Sequence, residues 1–342
     1  MAGTARILSI DGGGIRGIIP ALILQRIEER TGKQISEMFH MIAGTSTGGI
    51  LASALTTPVM GGKPRPAAEI VDFYRKRGME IFSSSFWHGF GSLGGMVDEK
   101  YEANNLEGIL EEYFADTKLS ELGQDVMVTS YNIERRQPFF FKSWKARGEK
   151  LREGETAEDR NFLMREVARA TSAAPTYFEP AYAKNEKGAY FPLIDGGVFA
   201  NNPTMCALSS ARVLYPNKSR YLIVSLGTGE TQREIPYEEA KNWGLLGWAR
   251  PLLYILFDGV SDAVNYQLKQ EFRARDYFRF EIALGADPED ENAPNDDMDD
   301  ARPENIRKLE TVADVLMKQE KNGLNRLINQ LKEPLGARQD LV

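Results

Sequence analysis

The residues best suited to chemistry are Gly44-Thr45-Ser46-Thr47-Gly48. The apolar run Met41-Ile42-Ala43 precedes them, and Gly49-Ile50-Leu51-Ala52-Ser53-Ala54-Leu55 follows. That order predicts a strand, a tight turn and a helix, the setting in which Gly-x-Ser-x-Gly forms a nucleophile elbow. Gly44 and Gly48 leave room for the turn. The Ser46 hydroxyl is then presented at a helix N-terminus, where backbone N–H groups favour developing negative charge.

A serine nucleophile of the common kind needs an imidazole to take its proton. The chain has two histidines, His40 and His88, and none follows position 88. The triad order of serine, then acid, then histidine is therefore excluded. A candidate base is Asp195, in Phe191-Pro192-Leu193-Ile194-Asp195-Gly196-Gly197-Val198. The apolar residues read as a strand and the glycines as a turn, so the carboxylate can project into a cleft. Asp-Gly is equally a common turn signal, and these residues alone leave both readings open.

A third segment is Ile7-Leu8-Ser9-Ile10-Asp11-Gly12-Gly13-Gly14-Ile15-Arg16-Gly17. It reads as a buried strand, a glycine loop and a helix over 17–30 with an apolar stripe. Exposed N–H groups in such a loop can cradle a phosphate or an oxyanion. Gly12-x-Gly14-x-x-Gly17 also spells a dinucleotide-binding fingerprint, which makes a nucleotide-binding regulatory protein or an oxidoreductase the alternative. That fingerprint wants an acid at the end of the second strand, where this chain has Ala43-Gly44-Thr45-Ser46. No Gly-x-x-x-x-Gly-Lys-Ser/Thr is present either. The oxyanion reading explains the same glycines and the elbow together.

Taken in order, the three segments resemble the patatin-like phospholipases. The likeness extends to Ser225-Leu226-Gly227-Thr228-Gly229 and Asp258-Gly259-Val260-Ser261-Asp262, and so covers most of the chain. The resemblance implies a Ser–Asp dyad, with Ser46 as nucleophile and Asp195 as base. It implies that Gly12, Gly13 and Gly14 line the oxyanion hole, with Arg16 beside it. The implied activity is acyl hydrolysis of phospholipids, galactolipids or lysolipids, with no metal and no cofactor.

Around these motifs the chain alternates strands and helices. Strands fall at 5–10, 39–45, 126–131, 138–142, 190–194, 220–226 and 276–282. Helices fall at 17–30, 47–56, 66–82, 103–114, 161–171, 203–214, 259–273 and across the tail 302–332. The alternation predicts an α/β fold of three layers, a mostly parallel sheet covered on both faces. Residues 1–300 form the catalytic domain, and 301–342 a C-terminal helical extension packed on it.

Composition agrees with a globular chain of 342 residues, 42% hydrophobic and 27% charged. A net charge of −7 argues against nucleic acid as a partner and against adsorption to anionic lipid by bulk charge. Contact with a membrane lipid or lysolipid would have to come from local surface. The single cysteine, Cys206, excludes an internal disulfide and reads as a small buried residue. No signal-peptide pattern opens the sequence, so a cytoplasmic protein is expected, with peripheral contact at membranes.

Two stretches bear on substrate access. Residues 83–97 mix Phe86, Trp87 and Phe90 with four glycines. They read as a lid or lipid-contacting flap, or as a loop pinned by its aromatics. Residues 243–257 carry one charge, Arg250, and are too short and too broken by glycine and proline to span a bilayer. They read as core, with part of an acyl-chain groove as the second possibility. The acidic run 287–300 lacks EF-hand spacing and reads as a solvated loop.

Overall fold

The computed structural model describes residues 3–59, 62–82, 99–231, 234–285 and 293–337. The stretch 83–97, read as a lid or a pinned loop, lies outside these with His88, as does the start of the acidic run at 287–292.

The chain opens with β1 (Thr4–Ile10), α1 (Ile18–Thr31), β2 (Met41–Thr45) and α2 (Thr47–Ala54). Helices α3 (Ala67–Phe82) and α4 (Glu99–Phe114) lead to the hairpin β3 (Asp125–Asn132) and β4 (Gln137–Lys142). Short α5 (Ser143–Ala146) and α6 (Met164–Thr171) precede a second hairpin, β5 (Ala181–Lys184) and β6 (Tyr190–Asp195). Then come α7 (Gly197–Ala200), α8 (Thr204–Leu214), β7 (Arg220–Leu226), β8 (Glu230–Thr231) and α9 (Tyr237–Ala240). The remainder is α10 (Leu245–Glu271), β9 (Tyr277–Phe280), β10 (Ala283–Leu284), α11 (Pro303–Gln319) and α12 (Lys321–Lys332).

Among the described residues the main sheet has eight strands, in the order β5-β6-β3-β2-β1-β7-β9, with β4 also on β3. The run from β3 to β9 is parallel. The hairpin strands β4, β5 and β6 pair antiparallel. The fold is a mixed α/β architecture around a mostly parallel sheet. Its central strands read as apolar runs because both faces are covered. Successive residues alternate between two cores. Leu8, Ile10, Ile42, Val126, Val128 and Val224 enter one, with α1, α2, α3, α4, α6, α11 and α12. Ala5, Ile7, Met41, Ala43, Met127 and Ile223 enter the other, with α8 and the C-terminal part of α10. Cys206 packs against the edge of this second core.

The structure departs from the expected elements in three places. The tail is two helices meeting at Glu320, both adding side chains to the core under α1. The helix expected from 259 begins at Leu245 and runs through Pro251, a residue that usually ends one. Beyond the proline its buried residues Leu253, Phe257, Ser261 and Leu268 recur at helical spacing. Strand β5 is short, and its alternation of Ala181 and Ala183 with exposed Tyr182 and Lys184 is too weak a signal to stand out.

Candidate active site

The sheet register brings the two proposed catalytic residues together. β4 occupies one edge of β3 along Met127–Asn132. β2 and β6 must therefore share the other edge. There Thr45 pairs with Thr129 from a parallel strand, and Asp195 pairs with Ser130 from an antiparallel one. The two strands run toward each other and end on consecutive β3 residues. Ser46, the residue after Thr45, is thus set against Asp195.

Ser46 adopts φ 55° and ψ −125°, a conformation that side chains rarely take. Its amide donates to Thr171 Oγ1 at 2.8 Å, and that hydroxyl donates to Thr129 O at 2.7 Å. Thr45 Oγ1 lies 2.7 Å from Thr129 Oγ1 and 2.6 Å from Ala200 O. These bonds over-determine the turn and hold the strain. The flanking glycines are sterically required. A methyl on Gly44 would overlap the Gly48 carbonyl, and one on Gly48 would overlap the Ile10 carbonyl. Ser46 itself is part-exposed, so a substrate can reach its hydroxyl.

Asp195 is 1% exposed. Its amide donates to Ala173 O at 2.9 Å, and its Oδ1 accepts the Gly197 N–H at 2.7 Å. Oδ2 is buried with no hydrogen-bond partner. Burial pushes the carboxyl up to about 7, opposed by the Ser46 hydroxyl and the Gly197 amide. The Ser46 hydroxyl is therefore near enough to act on this carboxyl, without a closed hydrogen bond to Oδ2. Free active sites often show such an open contact, which tightens on substrate binding.

The glycine loop lies on the other side of Ser46. A methyl built on Gly12 would stand 3.2 Å from Ser46 Cβ. The Gly12 N–H is already used, donating to Asn201 O at 3.1 Å. Thr228 Oγ1 donates to Gly12 O at 2.7 Å. The Gly13 carbonyl accepts from the Arg16 amide at 3.2 Å and from Arg16 Nε at 3.4 Å. In a trans peptide the C=O and the following N–H point opposite ways. Fixing the Gly12 and Gly13 carbonyls from behind therefore turns the Gly13 and Gly14 N–H groups the other way. Neither has an acceptor among the described residues. Gly14 needs its glycine outright, with φ +59° and the Met298 carbonyl where a side chain would sit.

Arg16 is 2% exposed, and its Nη1 donates to Thr231 Oγ1 at 3.2 Å. Expected beside the oxyanion hole, it stands behind the loop. Asp11 is likewise structural in its contacts. It pairs with Arg279 at 2.7 Å, and Arg279 also reaches Glu281 at 2.6 Å and Ser225 Oγ at 2.9 Å. This buried group ties the end of β1 to β7 and β9. Sequence reading missed Thr171, Asn201 and Arg279. Thr228 was visible only as part of a glycine motif.

His40 lies at the opposite end of β2 from Ser46, six positions or roughly 20 Å away at strand rise. Its Nδ1 accepts the Arg6 N–H at 3.0 Å, and its Nε2 lies 2.9 Å from Gly336 O. Burial lowers its pKa to about 4, so the ring is neutral and serves as a tie between β1 and the C-terminal segment.

The sheet thus sets a strand-turn-helix serine beside a buried carboxyl, next to a loop with two amides that have no acceptor among the described residues. The family model for patatin-like phospholipase matches residues 8–208. Patatin-like protein 4 of Arabidopsis thaliana is 33% identical over 91% of this chain and 82% of its own length. Patatin-like protein 2 of the same plant is 34% identical over 78% of this chain and 72% of its own. A Solanum tuberosum relative named "Probable inactive patatin-3-Kuras 1" is 33% identical over 79% and 75%. The chain belongs to the patatin-like phospholipase family, which places it among lipid hydrolases.

Proposed function

We propose that the protein is a serine-dependent lipid acyl hydrolase of phospholipase A or lysophospholipase type. Ser46 Oγ attacks the ester carbonyl while Asp195 Oδ2 takes its proton. The oxyanion is held by the Gly13 and Gly14 N–H groups, with Gly12 and Arg16 fixing the loop behind them. Asp195 returns the proton to the departing alcohol or lysolipid. Water then repeats the cycle on the acyl-Ser46 ester and releases the fatty acid. A buried carboxyl near 7 is a far better base at neutral pH than one near 4.

The observation that supports this reading is the meeting of β2 and β6 on one edge of β3, which sets a buried carboxyl with one partnerless oxygen near enough to Ser46 for the hydroxyl to act on it. The nucleotide reading fares worse. The strand after the loop, β2, ends at Gly44-Thr45 with no acid to hold a ribose, and the Gly12 N–H that a pyrophosphate would meet is spent on Asn201 O. The test is incubation with mixed membrane lipids and mass spectrometry of the products, with Ser46→Ala as control. Fatty acid released by the parent and not by the variant supports the reading. Equal release, or none by either, refutes it.

A further inference from the structure

Helix α10 is apolar on two opposite faces over its first half. One face is buried through Leu253 and Phe257, and Phe257 packs against Gly197, two residues from Asp195. The opposite face carries Trp248, Leu252, Ile255 and Leu256 at i, i+4, i+7 and i+8, from 36% to 46% exposed. A solvent-facing helix normally puts polar residues there. Nearby Ile235 and Tyr237 are exposed too. Tyr254, between the faces, reaches Tyr177 by a 2.9 Å hydroxyl contact, which fixes the helix beside the site.

We propose that this stripe of α10 is the surface by which the protein docks on a lipid bilayer of no net charge, zwitterionic or neutral. The proposal rests on the lipid-hydrolase reading of the site and names how that site meets its substrate. Charge selects the kind of surface. Residues 245–257 hold one charged residue, Arg250, in a chain of net charge −7. Lys241, just before the helix, is paired to Glu238. Farther along the helix stand Asp258 and Asp262, and Arg16, the cation facing Asp258, is buried behind the loop. No basic cluster flanks the stripe among the described residues, as anionic lipid would require. The area argues against a second copy as the occupant. The four side chains expose roughly 300 Å², enough to mark a contact site but far below the ~800 Å² per partner of a stable dimer. A tryptophan among aliphatic side chains suits the boundary between headgroups and acyl chains.

The test uses the Ser46→Ala protein, which leaves its lipid intact, sedimented with vesicles of phosphatidylcholine alone or mixed with phosphatidylglycerol. We expect binding to the neutral vesicles, no gain from phosphatidylglycerol and no loss in high salt. Tryptophan emission should shift to the blue, and Trp248→Phe should remove the shift. Leu252→Glu with Ile255→Glu should weaken binding by about tenfold or more. The thermal melt should be unchanged, and so should hydrolysis of a water-soluble short-chain ester in the Ser46 background. Unchanged binding by the double variant, or binding only to anionic vesicles, overturns the proposal. A dimer in sedimentation velocity that the double variant dissociates does so as well, by assigning the face to a second copy. If the Ser46 protein hydrolyses no ester yet the vesicle results hold, the hydrolase reading fails and the docking surface stands.

Discussion

Asp195→Asn should make the protein more stable while disabling it, and only above a certain pH. The native carboxyl is raised from 3.8 to about 7 by burial. The folded state therefore holds this proton more tightly than the unfolded chain does. Native stability then falls as pH rises through the window from about 4 to about 7, and the loss is complete above it. That difference corresponds to about 4 kcal/mol as a ceiling. Asparagine carries no charge to desolvate. Its Oδ1 keeps the Gly197 N–H, and its Nδ2 takes the place of the partnerless Oδ2. Denaturant unfolding at pH 8 should show a gain of about 2–4 kcal/mol, and the gain should vanish near pH 4. A gain of the same size at both pH values, or none at pH 8, would refute the claim that burial of a charge sets this group's basicity.

The same carboxyl governs the rate. kcat/KM should fall about tenfold per pH unit below 7 and level off above it; a plateau reaching down to pH 5 would indicate an ordinary carboxylate. Ser46→Ala and Ser46→Gly should both be inactive, but the glycine variant should be about 1 kcal/mol more stable by thermal unfolding, because glycine accepts φ 55° freely. Thr228→Val keeps the shape of the side chain and loses the bond to Gly12 O. Steady-state kinetics should show kcat reduced about tenfold with KM little changed, since the amides it aims act mainly in the transition state.

How much of this was legible beforehand follows from where each constraint is stored. The Gly44 and Gly48 requirement is local, because the atoms that exclude a side chain lie within a few residues or on the adjoining strand, so the motif announces itself. The apolar strands were legible for the same reason. The junction of β2 with β6 was not, because it depends on which edge of β3 the β4 hairpin leaves free. The aiming of the loop was equally hidden. Thr228 and Asn201 lie about 190 or more residues from Gly12; Thr228 acts through its hydroxyl and Asn201 through its backbone carbonyl, both on backbone atoms of Gly12, so no local pattern links them to the loop. The Gly12 amide, expected to face the oxyanion, is spent on Asn201. Pro251 and the glycines before it, both helix-breaking signals, hid the start of α10.

The central claim is tested most directly by catching the intermediate. The protein is mixed with a slowly hydrolysed fatty-acyl ester, quenched in acid within the first turnover, digested and read by mass spectrometry. The account predicts one acyl group, on the hydroxyl of Ser46, formed equally well by His40→Ala and suppressed by Asp195→Asn. An acyl group on any other residue, or undiminished acylation in Asp195→Asn, would contradict it.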